Sequence, residues 1–163
     1  MQSEDAVALL APLAPARERH NRWGHAMDAE ASLRQFGLVP SDDALPHVRA
    51  LLAQETAAER EGRPREEDLA LLCCVQLFSR GLLEDVLRIW KAKSSGMDLG
   101  ATVDIQLLCG AGLEATRSYL ASQEGPAAAD ALEYLAECEQ AGDFEDFSPA
   151  ELLDDYRHYF DLT

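Results

Sequence analysis

The apolar positions of this chain recur at helical spacing, most clearly beyond residue 64, and the interruptions fall at glycine, proline and small polar clusters. Residues 65–80 carry Leu69, Leu71, Leu72, Val75, Leu77 and Phe78, which together cover most of a helix circumference. A helix apolar nearly all round belongs in the middle of a packed domain. Gly81 suits its left-handed end. The next helix, 82–94, aligns Leu83, Val86, Leu87 and Trp90 on one face, with Glu84 and Arg88 as an i,i+4 pair on the other. Arg88, Lys91 and Lys93 lie towards its C-terminal end, where positive charge is favoured. Further helices are expected over 99–110, 113–122, 127–141 and from 149 to about Phe160. Ser148-Pro149-Ala150-Glu151 has the parts of a capping box, and Gly110-Ala111-Gly112 reads as either a tight turn or a close helix contact.

The first third is less regular. Short helices are expected at Ser3–Leu10 and Arg17–Trp23, separated by Pro12 and Pro15, and a third from Asp28 to Phe36, stopped by Gly37. Ser41-Asp42-Asp43 looks like the cap of the next, which accepts Pro46 in its first turn and runs towards Arg60 before Gly62-Arg63-Pro64. Two echoes run through the chain. Gln76-Leu77-Phe78 and Leu83-Glu84 recur as Gln106-Leu107-Leu108 and Leu113-Glu114, while Gly81, Glu84 and Asp85 recur as Gly142, Glu145 and Asp146. The expectation is a single all-α domain over 1–163, of about seven to nine helices. It is either an irregular helical bundle or a short array of stacked helical hairpins with a period near 30 residues. Residues 1–62 would supply the less regular helices and 63–163 the hairpin core. No full helical-repeat signature is present, and no family is assigned.

Composition supports helix and narrows the class. Ala occurs 26 times and Leu 25, against 12 for Val, Ile and Thr together. With 47% apolar residues the chain can bury a sizeable core, which excludes disordered, collagen-like and disulfide-scaffold classes. No apolar run is long enough to span a bilayer, and the first 25 residues carry acids and prolines where a signal peptide needs a basic start. Cys73, Cys74, Cys109 and Cys138 lack zinc-ligand spacing and read as reduced, buried small hydrophobes, consistent with cytoplasm.

Thirty acids against 14 bases give a net charge of −16, which argues against direct binding of a nucleic-acid backbone. The charge is uneven: residues 124–163 hold twelve acids and one base, Arg157. The same stretch is rich in aromatics, including Tyr134, Phe144, Phe147, Tyr156, Tyr159 and Phe160. Acids steer a basic partner and aromatics anchor an interface. Asp143, Glu145, Asp146, Asp154, Asp155, Tyr156 and Tyr159 are therefore the candidate partner-binding residues. The function that follows is a non-catalytic protein-binding module for a basic protein, in its most specific form an immunity- or antitoxin-type inhibitor, with no cofactor.

Two alternatives stand beside it. A self-associating scaffold, a homo-oligomer, would set Arg80, Arg88, Lys91 and Lys93 against the acidic tail of another copy. An enzyme would need residues converging from separate helices around His158 or His20. Glu151, Asp155 and His158 share a helix face, but one helix supplies three ligands at most and no second helix matches, so no metal site is assigned. His20 and His25 flank Trp23 at a spacing that turns the imidazoles apart on a helix. The serines and thiols lack nucleophile contexts, and Gly110-Ala111-Gly112 has no Lys-Ser/Thr after it to cradle phosphate.

Overall fold

The computed structural model describes residues 27–162, which form eight α-helices and no strand. The helices expected at Ser3–Leu10 and Arg17–Trp23 lie outside the described residues. Helix α1 (Ala29–Phe36) starts at Asp28, whose side chain accepts from the Ala31 N–H at 2.8 Å, and stops at Gly37 with φ 74°. Helix α2 (Leu45–Arg60) carries Pro46 in its first turn. No side chain caps it. A backbone turn precedes it instead, in which the Ser41 carbonyl accepts from the N–H groups of Ala44 and Leu45.

Helix α3 (Leu69–Arg80) begins four residues later than the apolar pattern suggests, because Asp68 takes a left-handed φ of 63° in a turn closed by the Leu69 N–H donating to the Glu66 carbonyl. It ends at Gly81, also left-handed. A 3-10 turn at Leu83–Asp85 leads into α4 (Val86–Lys93). The expected Glu84–Arg88 pair does not form. Arg88 donates to the Asp85 carboxylate and the Glu84 carbonyl, and the Glu84 carboxylate accepts from Arg49.

The single helix expected over 99–110 is two pieces, α5 (Met97–Thr102) and a 3-10 turn (Ile105–Leu108), parted where Val103 and Asp104 are extended. β-Branched Thr102 and Val103 weaken helix at the break. The Lys93 ammonium then satisfies the carbonyls of Gly100 and Val103 that a continuing helix would have used. Helices α6 (Leu113–Ser122), α7 (Pro126–Gln140) and α8 (Pro149–Tyr159) follow the expected boundaries closely. Ser148 Oγ accepts from the Glu151 N–H, which realises one half of the capping box.

The echoes are not a structural repeat. Gln76-Leu77-Phe78 lies in α3, whereas Gln106-Leu107-Leu108 is a 3-10 turn. The architecture is an irregular bundle around α3, in which every residue from Leu69 to Phe78 is buried. Helices α1, α2, α4, α5, α8 and the 105–108 turn all pack on α3, while α6 and α7 pair with each other and α7 rests on α4. No helix of the described residues is long and apolar enough to cross a membrane.

Two devices hold the wrapping in place. At the end of α3 the backbone meets the 108–112 turn so closely that a Cβ on Gly110 would overlap the Phe78 carbonyl, and one on Gly81 would lie 3.0 Å from the Gly110 carbonyl oxygen. The Gly110-Ala111-Gly112 segment is thus a close contact as well as a turn. At the other device, Arg65 donates to Glu55, Glu59 and Asp98, joining α2 to α5. Glu59 also accepts from the Leu99 N–H at 3.0 Å, so a side chain from α2 satisfies the start of α5. That bond and Arg65 hold the Glu59 carboxyl below its ordinary value.

Gly110→Ala should cost about 2 kcal/mol of stability, since backbone rather than a flexible side chain must yield; urea unfolding followed by circular dichroism measures it. Glu59 has a pH signature of its own. Its folded pKa is depressed, so its contribution is present above its unfolded value of about 4.3 and is lost as pH falls through the folded value. Glu59→Gln should be less stable than wild type at pH 7, and the gap should close in acid.

Candidate functional site

The acidic C-terminal third builds a recess of about 300 Å³. Its walls are Asp104 and Gln106 from the break after α5, the α7–α8 connection from Asp143 to Ser148, and one face of α8. The local sequence explains the arrangement. Ser148 sets the start of α8, and Leu152, Leu153, Tyr156 and Phe160 pack towards the core. Glu151 and Asp155, one turn apart, are left to line the opening. In the connection, Phe144 and Phe147 meet edge to face with centroids 5.4 Å apart. Asp146 holds φ 57°, a left-handed conformation that aspartate tolerates better than most residues. Gln106 Nε2 donates to the Asp143 carbonyl at 2.8 Å, fastening the connection to the 105–108 turn.

The structure therefore brings together Asp143, Glu145, Asp146 and Asp155 of the expected residues, and adds Asp104 and Glu151 to them. Asp154 and Tyr159 stand elsewhere. Asp154 lies 3.9 Å from Arg157 and 3.8 Å from the His158 ring. Tyr159 is exposed at the far edge of α8 and donates its hydroxyl to Asp68 at 3.2 Å.

Tyr156, one of the candidate partner-binding residues, is turned inward. It is buried, its hydroxyl donates to Asp104 at 3.0 Å, and burial pushes its pKa up. The reason is its position on the inward stripe of α8, beside Leu152, Leu153 and Phe160. Its work is to tie α8 to the recess wall. Of the other aromatics, Phe144 is also buried, whereas Tyr159 and Tyr134, whose ring centroid lies 5.6 Å from that of Trp90, are exposed.

Asp104 was not legible as a contributor, because it is 39 residues before Asp143 and nothing local marks it. Glu151 carries a signal in the sequence through its i,i+4 relation to Asp155, the spacing that two metal ligands on one helix face would have. The structure directs the third member of that set elsewhere: His158 Nδ1 sits 2.9 Å from the Asp154 carbonyl oxygen. Among the described residues no group of three His, Cys, Asp or Glu side chains could hold a metal ion. His20, Trp23 and His25 lie outside the described residues.

The thiols are free and buried. Burial raises Cys74 to about 12 and Cys109 to about 11, and pushes Cys73 well up. Such thiols are almost wholly protonated at neutral pH and poor nucleophiles. Ellman's reagent at pH 8 should leave Cys73, Cys74 and Cys109 unreacted in the folded protein, and all four cysteines should react in strong denaturant.

No protein-family model matches the chain, and no similar curated protein or solved structure is found, so the site stands on its own geometry.

Proposed function

We propose that this protein is a non-catalytic binding module whose acidic C-terminal recess receives basic side chains of another protein, in the manner of an immunity- or antitoxin-type inhibitor covering a cationic effector. The observation that carries this reading is the convergence of Asp104, Asp143, Glu145, Asp146, Glu151 and Asp155 on one opening. A recess of that size admits lysine or arginine side chains, and clustered carboxylates raise both their encounter rate and their selectivity. Supporting it further, the walls are preorganised by the Tyr156–Asp104 and Gln106–Asp143 bonds, so little ordering is needed on binding.

The test uses the full chain as bait in a lysate of its source cell, with Glu145→Lys/Asp155→Lys as the matched control. Both positions are exposed, so the double variant should keep its fold within about 0.5 kcal/mol. The expected result is a dominant basic protein retained by wild type, released by salt and lost from the variant. Association measured on that partner should slow as ionic strength rises and the screening length shrinks to about 8 Å. A partner held equally by both proteins would overturn the assignment of this recess.

A further inference from the structure

In a chain of such acidic balance, the basic side chains of the described residues are nearly all spoken for. Arg34, Arg49, Arg63, Arg65, Arg80, Arg88, Arg117 and Arg157 each sit within an ion pair. Lys93 is buried on two backbone carbonyls. Arg60 and Lys91 have no such partner among the described residues, and both lie in the same place. With Arg88 they form a cationic ridge shared by two adjoining recesses, one of about 310 Å³ between α2 and α4 and one of about 750 Å³ bounded by α4, α6 and the start of α7.

The two sides of the ridge differ in chemistry. On the smaller side Arg49 joins the row. Asp85, only 1% exposed, accepts from Arg49 at 2.8 Å and from Arg88 at 2.9 Å, and so fixes both guanidinium groups. On the larger side Trp90, Tyr119, Leu87 and Pro126 supply an apolar wall, while Ser94 and the Glu84 carboxylate, which accepts from Arg49 at 2.9 Å, also line the recess. Asp130 stands on that wall as a hydrogen-bond acceptor. Fixed arginines match the oxygens of a phosphate, and an aromatic wall matches a base. Asp130 disfavours a second anionic group beyond the phosphate but accepts from a sugar hydroxyl or a ring amine. The volume suits one small molecule.

We propose that this groove binds a nucleoside phosphate, with the phosphates on Arg60, Arg88 and Lys91 and the base against Trp90 and Tyr119. The site is separate from the acidic recess, and neither reading depends on the other. A polyanion is disfavoured by the net charge of −16, whereas a single small anion senses chiefly the local ridge.

Isothermal titration of the full chain with ADP, adenosine, inorganic pyrophosphate and a hexaglutamate peptide tests it. Saturable ADP binding is expected, with adenosine and pyrophosphate each at least about tenfold weaker. Arg60→Ala/Lys91→Ala should weaken ADP by about tenfold or more at an unchanged circular dichroism spectrum, since neither side chain is tied within the described fold. Tyr119→Ala should weaken ADP while leaving pyrophosphate as it was. Glu145→Lys/Asp155→Lys should bind ADP like wild type, which separates this site from the recess. No ADP binding up to about 5 mM would overturn the proposal, as would full ADP affinity in Arg60→Ala/Lys91→Ala. Pyrophosphate binding as tightly as ADP would remove the base from it, and hexaglutamate binding more tightly than ADP would assign the groove to an acidic peptide instead.

Discussion

A helix with no polar side has to be covered on every side, and α3 is such a helix. From Leu69 to Phe78 each residue is buried, including Cys73, Cys74 and Gln76. Burying a leucine side chain is worth about 2 kcal/mol, so leaving any face of this segment in water would cost a large share of a small domain's net stability. The other elements are arranged to prevent it, with α2 along one side and α1, α4, α5, α8 and the 105–108 turn on the rest. Gln76, the one polar side chain well inside this segment, meets the constraint in part: its Nε2 donates to the Gly37 carbonyl at 2.8 Å, which ties the end of α1 to α3, while its Oε1 is buried with no partner among the described residues. The Gly81–Gly110 approach is the same demand expressed in backbone, since the chain turns back onto α3 at a distance that leaves no room for a side chain on Gly110.

Charge is organised by a different rule. Four of the nine arginines among the described residues act as clamps between elements that are distant in sequence: Arg49 on the 84–85 turn, Arg65 on α5, Arg80 on Asp42, Arg117 on α7. Because these bases are consumed within the fold, the surplus carboxylates are left on the surface. They gather most densely where the chain turns between α7 and α8. The unconsumed cations gather at the opposite end of α7, whose first residue, Pro126, borders the basic groove. Fifteen helical residues separate the two ends by about 22 Å, well beyond the screening length, so each site presents its own sign to solvent.

Much of the helical order was legible because it depends on local information. Gly37 and Gly81 as stops, Pro46 and Pro149 in first turns, and Ser148 with Glu151 are all short-range signals that the structure realises. The failures share a cause. The break inside 99–110 rests on Lys93 and on Tyr156 pulling Asp104 aside, and both arrive from other elements. Arg88 leaves Glu84 because Arg49, 35 residues before it in sequence, takes that carboxylate. The acidic stretch was legible as composition, and so were Asp143, Glu145, Asp146 and Asp155. Which acids share an opening was not, because Asp154 and Asp155 are neighbours in sequence yet point to different sides of α8.

The sequence by itself determined that this protein is helical, that residues 69–78 lie at its centre, and that its C-terminal third is strongly acidic. Those properties follow from helix propensity, hydrophobic period and charge count, each of which is local or additive. Only the tertiary structure decided that Tyr156 faces inward, that Asp104 joins the acids of the α7–α8 connection, and that Arg60, Arg88 and Lys91 form one ridge from two helices. These depend on how helices pack around α3, and packing is set by the simultaneous fit of many side chains that no single stretch of sequence contains.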